Sequence, residues 1–332
     1  MKRVAIIGAG SWGTALAVIA ARAGHQVQLW SRNADVTSSI NESRVNSRYL
    51  KSVQIPFSVA ATSELNTALD QAELVLFAAP SHTARELFTA ISPHLSEGAI
   101  LVSAAKGIEI ETGKRISEIV KEVAGTVHPF VCLSGPSFAK EVVAGHPTAI
   151  VAASKDAAAA RALQSELSFE NLRIYTNADV IGTEIGGSVK NVMAIAAGMA
   201  DGLGFGSNSV AALITRGLAE ITRFARREGA QVETLMGLAG LGDLVLTCTG
   251  ALSRNRFVGE ELGKGKRLEE IVAELSEVAE GIKTARAVKQ LADRANLEMP
   301  IVNEVNAVLY EGKPAREAVS ELMSRPLREE VS

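Results

Sequence analysis

The chain has 332 residues, of which 47% are hydrophobic, and this excludes a disordered or fibrous protein because two ordinary domains could each bury a core. Its 34 basic and 37 acidic residues give a formal net charge of −3, which leaves no positive excess for nucleic acid. Cys132, Cys248 and five scattered histidines lack metal-ligand spacing, so we expect no metal site and a reducing, cytoplasmic compartment.

An uncharged stretch between Arg3 and Arg22 superficially resembles a signal sequence or a short membrane span. Gly8, Gly10 and Gly13 interrupt this stretch where such a segment needs continuous helix formers. The stretch divides instead into a β-like run and an Ala-rich helical run. We therefore expect no membrane insertion.

Short apolar runs with β-strand character alternate with helical stretches from residue 1 to about residue 185. This alternation is typical of buried parallel strands joined by crossover helices, and it predicts an α/β domain with a doubly wound parallel sheet. The predicted strands cover residues 4–7, 26–30, 74–78, 100–104, 130–133 and 149–152. The helix after the first strand is predicted over 11–22, with Gly24 as its C-terminal cap.

After residue 186 the strand-like runs stop, and helical patterns broken by glycines and prolines remain. The sequence therefore predicts a dinucleotide-binding domain over 1–185 and an all-helical second domain over 186–332. The predicted helices of the second domain cover residues 187–199, 210–228, 254–262, 268–275, 283–295 and 300–310. The polar stretch 324–332 predicts a solvated tail.

The cofactor signal is the segment VAIIGAGSWG, in which Gly8, Gly10 and Gly13 follow an apolar strand and precede an Ala-rich helix. Without side chains, Gly8 permits a tight turn, Gly10 lets a pyrophosphate approach the backbone, and Gly13 lets the helix pack on the strand. The helix N-terminus then faces the negative charge. The spacing and its flanks predict a Rossmann-type nicotinamide dinucleotide site; the alternative is a glycine-rich turn without chemistry.

The end of the second predicted strand bears on the choice between NAD and NADP. A carboxylate usually stands there to bind the ribose 2′-hydroxyl, but this chain has Arg32 and Asn33. Without that carboxylate, a 2′-phosphate meets no repulsion, and Arg32 could pair with it. The pattern predicts that NADPH is accepted and favours it, unless Arg32 is simply a solvated loop residue.

Ligands of open α/β sheets bind beyond the carboxyl ends of the strands, so polar residues at those points are candidates. Lys106 follows the predicted strand 100–104, although a lysine there is also typical of a surface residue. The turn Gly135-Pro136-Ser137 follows the next predicted strand and would present backbone amides and a hydroxyl to a cleft.

One lysine, Lys190, stands in an otherwise apolar predicted helix at the domain junction. Burial would lower its pKa toward neutrality, as a proton-transfer group requires, whereas a structural lysine that reaches solvent is the alternative. Asp243 lies in a glycine-flanked apolar turn, where it would either hold such a lysine electrostatically or cap a helix.

The segment Ser253-Arg254-Asn255 predicts an N-cap followed by two polar donors in the first turn of a helix. Backbone amides, the helix dipole and the guanidinium would together bind a phosphate there. An ordinary capped surface helix is the alternative.

Five motifs, GAGSWG, SGPSFAKEV, the Gly-Gly-Ser-Val-Lys-Asn helix, GLGDL and SRNRFVG, occur in this order and resemble those of bacterial NAD(P)-dependent glycerol-3-phosphate dehydrogenase over nearly the whole chain. The resemblance implies reversible reduction of dihydroxyacetone phosphate to sn-glycerol 3-phosphate, for phospholipid synthesis. The position of Arg32 varies within this family, so the resemblance leaves the choice between NAD and NADP open.

The resemblance also implies roles for individual residues. Lys190 would be the general acid/base, and Lys106 would help to hold both substrate and cofactor. The triose phosphate would be lined by Gly135, Ser137, Asp243, Ser253, Arg254 and Asn255. The cofactor would be contacted by Ser11, Trp12, Ala139, Arg254, Val278 and Glu280.

In the expected chemistry, hydride passes from the nicotinamide to the ketone carbon while the Lys190 ammonium donates a proton to the oxygen. Lys106 would lower the pKa of Lys190 and polarise the carbonyl, and Asp243 would orient the ammonium. Arg254 and Asn255 would clamp the phosphate and so align the reacting carbon.

Two alternatives remain at this stage. One is a β-hydroxyacid-type dehydrogenase with the same layout and a lysine base, whose substrate carries a carboxylate instead of a phosphate. The other is a non-catalytic NAD(P)-sensing module whose helical domain binds a partner. By analogy with other helix-rich second domains, we also expect a homodimer.

Overall fold

The computed structural model describes residues 1–275, 277–327 and 329. The strands are β1 (Arg3–Ile7), β2 (Gln26–Trp30), β3 (Val59–Thr62), β4 (Leu74–Phe77), β5 (Ile100–Ser103), β6 (Phe130–Ser134), β7 (Thr148–Ala153) and β8 (Leu172–Asn177). Within these described ranges they form one eight-stranded sheet in the order β3-β2-β1-β4-β5-β6-β7-β8. All neighbouring pairs are parallel except β6 and β7. The predicted doubly wound α/β sheet is therefore confirmed.

The two strands that the sequence patterns did not predict, β3 and β8, lie at the two edges of the sheet. Along β8, buried Leu172 and Ile174 alternate with exposed Arg173 and Tyr175. In an edge strand with one face in solvent, buried and exposed residues alternate in this way. Such a strand lacks the continuous apolar run that predicts the central strands.

Helices cover both faces of the sheet: α1 (Ser11–Arg22), α2 (Ala34–Ser43), α3 (Leu65–Leu69), α4 (Ala84–Ile91), α5 (Ile116–Ala124), α6 (Ala139–Val143) and α7 (Ala157–Leu167). Val4 and Ile6 of β1 pack into the core under α1 and α7. The alternate residues Ala5 and Ile7 pack into the core under α4 and α5. Burial on both faces is the reason that the central strands consist of apolar residues.

The rest of the described chain is helical: α8 (Val180–Gly202), α9 (Ser207–Arg227), α10 (Val232–Met236), α11 (Asp243–Thr249), α12 (Arg254–Gly263), α13 (Leu268–Glu274), α14 (Glu280–Arg294), α15 (Pro300–Tyr310) and α16 (Ala315–Ser324). Each of the six predicted helices is present, whereas α10, α11 and α16 were not predicted. Among the described residues, no helix is both long enough and apolar enough to cross a membrane. Part of the predicted tail 324–332 lies outside the described residues.

Helix α8 begins seven residues before its predicted start at 187, because Gly186 and Gly187 lie inside the helix instead of breaking it. A Cβ on Gly186 would lie 2.8 Å from the carbonyl oxygen of Ala239. Gly186 therefore permits close packing against the segment before α11, and Gly187 permits close packing against Ser134, since a Cβ there would lie 2.6 Å from the Ser134 hydroxyl oxygen. Helix α8 passes the predicted division at 185/186 without interruption, and that division stays a prediction.

Glycines also hold α12 directly against α8. A Cβ on Gly198 would lie 2.0 Å from the carbonyl oxygen of Arg256, and one on Gly259 would lie 2.0 Å from that of Ile195. No side chain larger than hydrogen fits at either position without moving a backbone. This contact fixes the first turn of α12 beside the helix that carries Lys190.

Candidate active site

A cleft of about 1080 Å³ lies beyond the carboxyl ends of the central strands, between the sheet and the helical part of the chain. The strand order changes direction between β1 and β4, and ligands of open α/β sheets bind at such switch points. One wall comes from the loops after the strands, including Gly8, Ala79 and Lys106, and the other includes Lys190 and Arg254.

The glycine-rich loop has the geometry that its sequence predicted. Gly8 has a φ of +115°, and a Cβ there would lie 2.7 Å from the backbone nitrogen of Ala79. A Cβ on Gly13 would lie 1.8 Å from the carbonyl oxygen of Gly8, so only glycine lets α1 start this close to β1. Gly10 lines the cleft, directly before the N-terminus of α1.

Asn46, a buried residue that no sequence pattern indicates, supports this loop through hydrogen bonds. The Asn46 amide nitrogen donates to the carbonyl oxygen of Ala9 at 2.9 Å and to the hydroxyl of Thr14 at 2.8 Å. Its amide oxygen accepts from the backbone N–H of Tyr49 at 3.1 Å. Asn46 is fully buried, so these bonds fix the loop with little competition from water.

Two lysines share one carboxylate at the floor of the cleft. The Lys190 Nζ lies 2.5 Å from Oδ1 of Asp243, and the Lys106 Nζ lies 2.6 Å from Oδ2 of the same residue. Lys190 also donates to the hydroxyl of Thr247 at 2.6 Å, and Lys106 donates to the carbonyl oxygen of Gly135 at 3.2 Å. The fold thus brings Lys106, Lys190 and Asp243, which are far apart in the sequence, into one charged cluster. The sequence predicted this grouping.

The environment of Lys190 lowers the pKa of its ammonium to about 8. Burial is the largest cause, since only 7% of the side chain is exposed. The carboxylate of Asp243 raises the pKa, and the like charge of Lys106 lowers it further. The expected repulsion by Lys106 is therefore present, but desolvation contributes more. An amine with this pKa both donates and accepts a proton near neutral pH.

The first turn of α12 has the expected N-cap, because the Ser253 hydroxyl accepts from the backbone N–H of Arg256 at 3.2 Å. Arg254 and Asn255 both line the cleft. The Asn255 amide oxygen accepts from the backbone N–H of Gly281 at 2.9 Å, which ties α12 to the start of α14. The Arg254 guanidinium forms an ion pair with Glu277.

Most of the predicted site residues line this one cleft: Gly8, Gly10, Ser11, Trp12, Arg32, Lys106, Ser137, Lys190, Ser253, Arg254, Asn255, Val278 and Glu280. Four others lie behind its surface. Gly13 packs against Gly8, and Ala139 starts α6 and packs on the core of the sheet domain. Gly135 and Asp243 are buried and bind Lys106.

The cleft also contains residues that were not predicted, among them Thr247, Asn191 and Glu277. Thr247 follows Asp243 by one helical turn, so the spacing of a carboxylate and a hydroxyl on α11 was an available signal. Asn191 stands next to Lys190 and lines the cleft. Glu277 binds Ser11, which lies more than 200 positions earlier in the chain, and no local pattern indicates such a contact.

The end of β2 carries positive and neutral groups where a carboxylate would stand in an NAD-specific site. Arg32 is exposed and lines the cleft together with His82 and Lys283. Burial lowers the pKa of His82, and the cations Lys283 and Arg32 lower it further. Asn33 caps α2 by accepting from the backbone N–H of Asp35 at 2.9 Å. This part of the cleft fits the added negative charge of a 2′-phosphate.

A glycine cradle at a helix N-terminus, a switch-point cleft and a buried lysine beside it define a dehydrogenase that uses a nicotinamide dinucleotide. Two family models match the chain. One is described as the N-terminus of NAD-dependent glycerol-3-phosphate dehydrogenase and covers residues 3–160, and the other as its C-terminus and covers residues 179–320. The chain belongs to the NAD-dependent glycerol-3-phosphate dehydrogenase family.

Individual relatives agree with this assignment over the full length. Glycerol-3-phosphate dehydrogenase [NAD(P)+] of Koribacter versatilis (strain Ellin345) is 52% identical over 335 residues, covering 100% of this chain and 99% of the relative. The same enzyme of Geobacter sp. (strain M21) is 48% identical, covering 99% of both chains. The crystal structure of glycerol-3-phosphate dehydrogenase from Coxiella burnetii superposes with a TM-score of 0.95 at 40% identity, covering 98% of this chain and 99% of that one.

Proposed function

We propose that the chain catalyses the reversible reduction of dihydroxyacetone phosphate to sn-glycerol 3-phosphate with NADPH or NADH, and so supplies glycerophospholipid synthesis. The observation that carries the proposal is the buried Lys190 ammonium, held by Asp243 and Thr247 at the floor of a dinucleotide cleft. The relatives named for this activity cover the whole chain. The bound cofactor supplies the hydride, and residues of the chain bind the two ligands and transfer the proton.

The cofactor is bound by groups from both walls of the cleft. The backbone at Gly8, Gly10 and Ser11 and the N-terminus of α1 bind the pyrophosphate. Arg32 binds the adenosine end. The remaining contacts are Trp12, Lys106, Arg254, Val278 and Glu280. Ala139, which the resemblance implied as a contact, packs on the core of the sheet domain and does not line the cleft. Gly13 acts from behind, because it sets the position of α1.

Lys190 transfers the proton. As hydride reaches the ketone carbon, negative charge develops on the carbonyl oxygen, and the Lys190 ammonium donates a proton to it. Lys106 donates to Oδ2 of Asp243, the carboxylate that also binds Lys190, and polarises the substrate carbonyl. Asp243 orients both ammonium groups, and its negative charge raises the pKa of Lys190, which favours the ammonium until the proton leaves. In the reverse direction the neutral Lys190 amine accepts the proton.

The substrate phosphate is held at the first turn of α12. Arg254 offers a guanidinium, and Ser253 and Asn255 place polar groups beside the helix N-terminus. Ser137 borders the triose on the sheet side, and Gly135 acts from behind the cleft surface by accepting from Lys106. Anchoring the phosphate fixes the reacting carbon relative to Lys190, which lowers the entropic part of the barrier.

The pKa of Lys190 predicts a pH dependence of opposite sign in the two directions. Reduction requires the ammonium, so kcat for reduction should fall as the pH rises through about 8. Oxidation requires the neutral amine, so its kcat should rise over the same range. Steady-state rates at saturating substrates between pH about 6.5 and about 9.5 test this. A kcat for reduction that does not fall above pH about 8 contradicts the assignment.

The choice of cofactor is tested by Arg32→Ala. We expect the Kd for NADPH to rise about tenfold or more, because a charge-assisted pair with the 2′-phosphate is lost, while the Kd for NADH changes little. Titration of both cofactors into both proteins measures the ratio. Arg161→Ala, which removes an exposed arginine of α7, is the matched control. An unchanged NADPH to NADH ratio removes Arg32 from the cofactor site.

The overall reaction is tested by following NADPH and NADH absorbance with dihydroxyacetone phosphate and with a panel of keto acids. Oxidation of cofactor with the phosphate substrate alone is the expected result. Turnover with a keto acid instead indicates a β-hydroxyacid-type dehydrogenase. Cofactor binding without turnover on any of these compounds indicates an NAD(P)-sensing module.

The proposal also includes the location, assembly and domain roles of the chain. It places the enzyme in the cytoplasm as a homodimer, with a dinucleotide-binding domain over residues 1–185 and an all-helical substrate and catalytic domain over residues 186–332, and both domains contribute residues to the shared cleft. Light scattering coupled to gel filtration measures the assembly, and a monomeric mass would contradict it.

A further inference from the structure

A carboxylate of the chain itself lies at the N-terminus of α1, in the place that the glycine-rich loop prepares for the cofactor's pyrophosphate. Oε1 of Glu277 accepts from the backbone N–H of Ser11 at 2.9 Å and lies 2.8 Å from its hydroxyl, whose single proton is shared between this oxygen and the carbonyl oxygen of Tyr49 at 2.7 Å. A Cβ added to Gly10 would lie 3.6 Å from the same oxygen. The Glu277 carboxylate therefore uses the first free amide of the helix, which is a donor that an anionic ligand takes there.

The second oxygen of Glu277 is bound by Arg254 from the other wall of the cleft. One carboxylate thus collects a backbone amide, a hydroxyl and a guanidinium. Those three donors are the kind that bind a phosphate, and they come from two parts of the chain that face each other across the cleft. The Glu277 side chain is 15% exposed and that of Arg254 is 47% exposed, so the carboxylate is largely withdrawn from solvent whereas the guanidinium is not.

We propose that Glu277 is an internal competitor of the cofactor's pyrophosphate, and that it sets how tightly this enzyme binds NADPH and NADH. The inference rests on the proposed position of the cofactor. The carboxylate and the pyrophosphate are both anions and need the same donors, so they exclude each other. Binding of the dinucleotide requires Glu277 to leave Ser11, which at the same time releases Arg254.

The position of Glu277 in the chain makes this exchange simple. It lies in the connection between α13 and α14, close to Val278 and Glu280, which also line the cleft. Rotation of one side chain away from α1 is sufficient, and neither the sheet nor a helix has to move. The observed association constant then equals the intrinsic association constant multiplied by the fraction of molecules in which Glu277 has left the site.

The test is the equilibrium binding of NADPH to the wild type, Glu277→Gln and Glu274→Gln, measured by fluorescence titration. Both variants remove one negative charge, but Glu274 is 54% exposed at the end of α13 and pairs with Lys266 outside the cleft. We expect Glu277→Gln to lower the Kd by about threefold to tenfold, since a neutral amide competes less well at a helix N-terminus and leaves Arg254 free. Glu274→Gln should stay within about twofold of the wild type.

Inorganic pyrophosphate gives a second readout that does not depend on the rest of the cofactor. Its inhibition constant against NADPH should fall by a similar factor in Glu277→Gln and not in Glu274→Gln. If NADPH binds the wild type normally and Glu277→Gln binds it equally well or more weakly, the inference is overturned while the proposed function stands. If none of the three proteins binds either NADPH or NADH, the proposed function fails and the inference fails with it.

Discussion

Lys190→Ala is expected to lower kcat about a thousandfold while the Kd for NADPH stays within about twofold of the wild type. General acid/base groups contribute rate factors of roughly 10² to 10⁴, and a residual rate remains because the bound substrates are still aligned. The fold should survive, because Asp243 keeps its ion pair with Lys106 when Lys190 is removed. Stopped-flow reduction of dihydroxyacetone phosphate and a fluorescence titration of NADPH measure the two quantities.

The matched control for this prediction is Lys289→Ala, which removes a lysine that pairs with Asp293 on α14, outside the cleft. Its kcat should remain close to that of the wild type. A near-normal kcat in Lys190→Ala would show that another group donates the proton. A large loss of NADPH affinity would instead place Lys190 in cofactor binding.

Asp243→Asn is expected to destabilise the folded protein by about 3 kcal/mol, because it leaves two ammonium groups at the cleft floor without their shared counter-ion. Lys190 is the more deeply buried of the two, and the loss of the carboxylate lowers its pKa further. A smaller share of molecules then carries the ammonium at neutral pH. The free energy of unfolding in urea and the pH profile of kcat should therefore change together.

The double variant Asp243→Asn with Lys190→Met separates the two causes. Removing the unpaired charge should restore most of the free energy of unfolding, whereas kcat should remain low. Asp293→Asn, at an exposed ion pair on α14, should change the free energy of unfolding by less than about 1 kcal/mol. An Asp243→Asn protein as stable as the wild type would contradict the electrostatic role given to Asp243.

The central part of the fold was predictable because its causes are local. Strands buried on both faces are mostly apolar, and the spacing of Gly8 and Gly13 reflects the close approach of the loop to the start of α1. The edge strands β3 and β8 were missed because they are short or alternate with solvent-facing residues. The predicted start of α8 was wrong because Gly186 is needed for close packing against Ala239, a contact that is distant in the sequence.

The site shows the same division between local and distant causes. Lys190 was identifiable because a buried charge in an apolar helix is unfavourable unless it is paired or has a function. Thr247 was identifiable in principle, because it lies one helical turn after Asp243. Asn46 and Glu277 were not identifiable, since each acts on the loop before α1 from a separate part of the chain. Their amino-acid types are common in loops, so only the folded structure indicates their roles.

The crystal structure of the complex with NADPH and an unreactive analogue of dihydroxyacetone phosphate tests the central claim most directly. The account predicts that the Lys190 Nζ lies within hydrogen-bonding distance, about 3 Å, of the analogue's carbonyl oxygen, with the phosphate at Arg254. An Nζ that points away from the substrate, or a substrate bound with its carbonyl beyond the reach of Lys190, would contradict it.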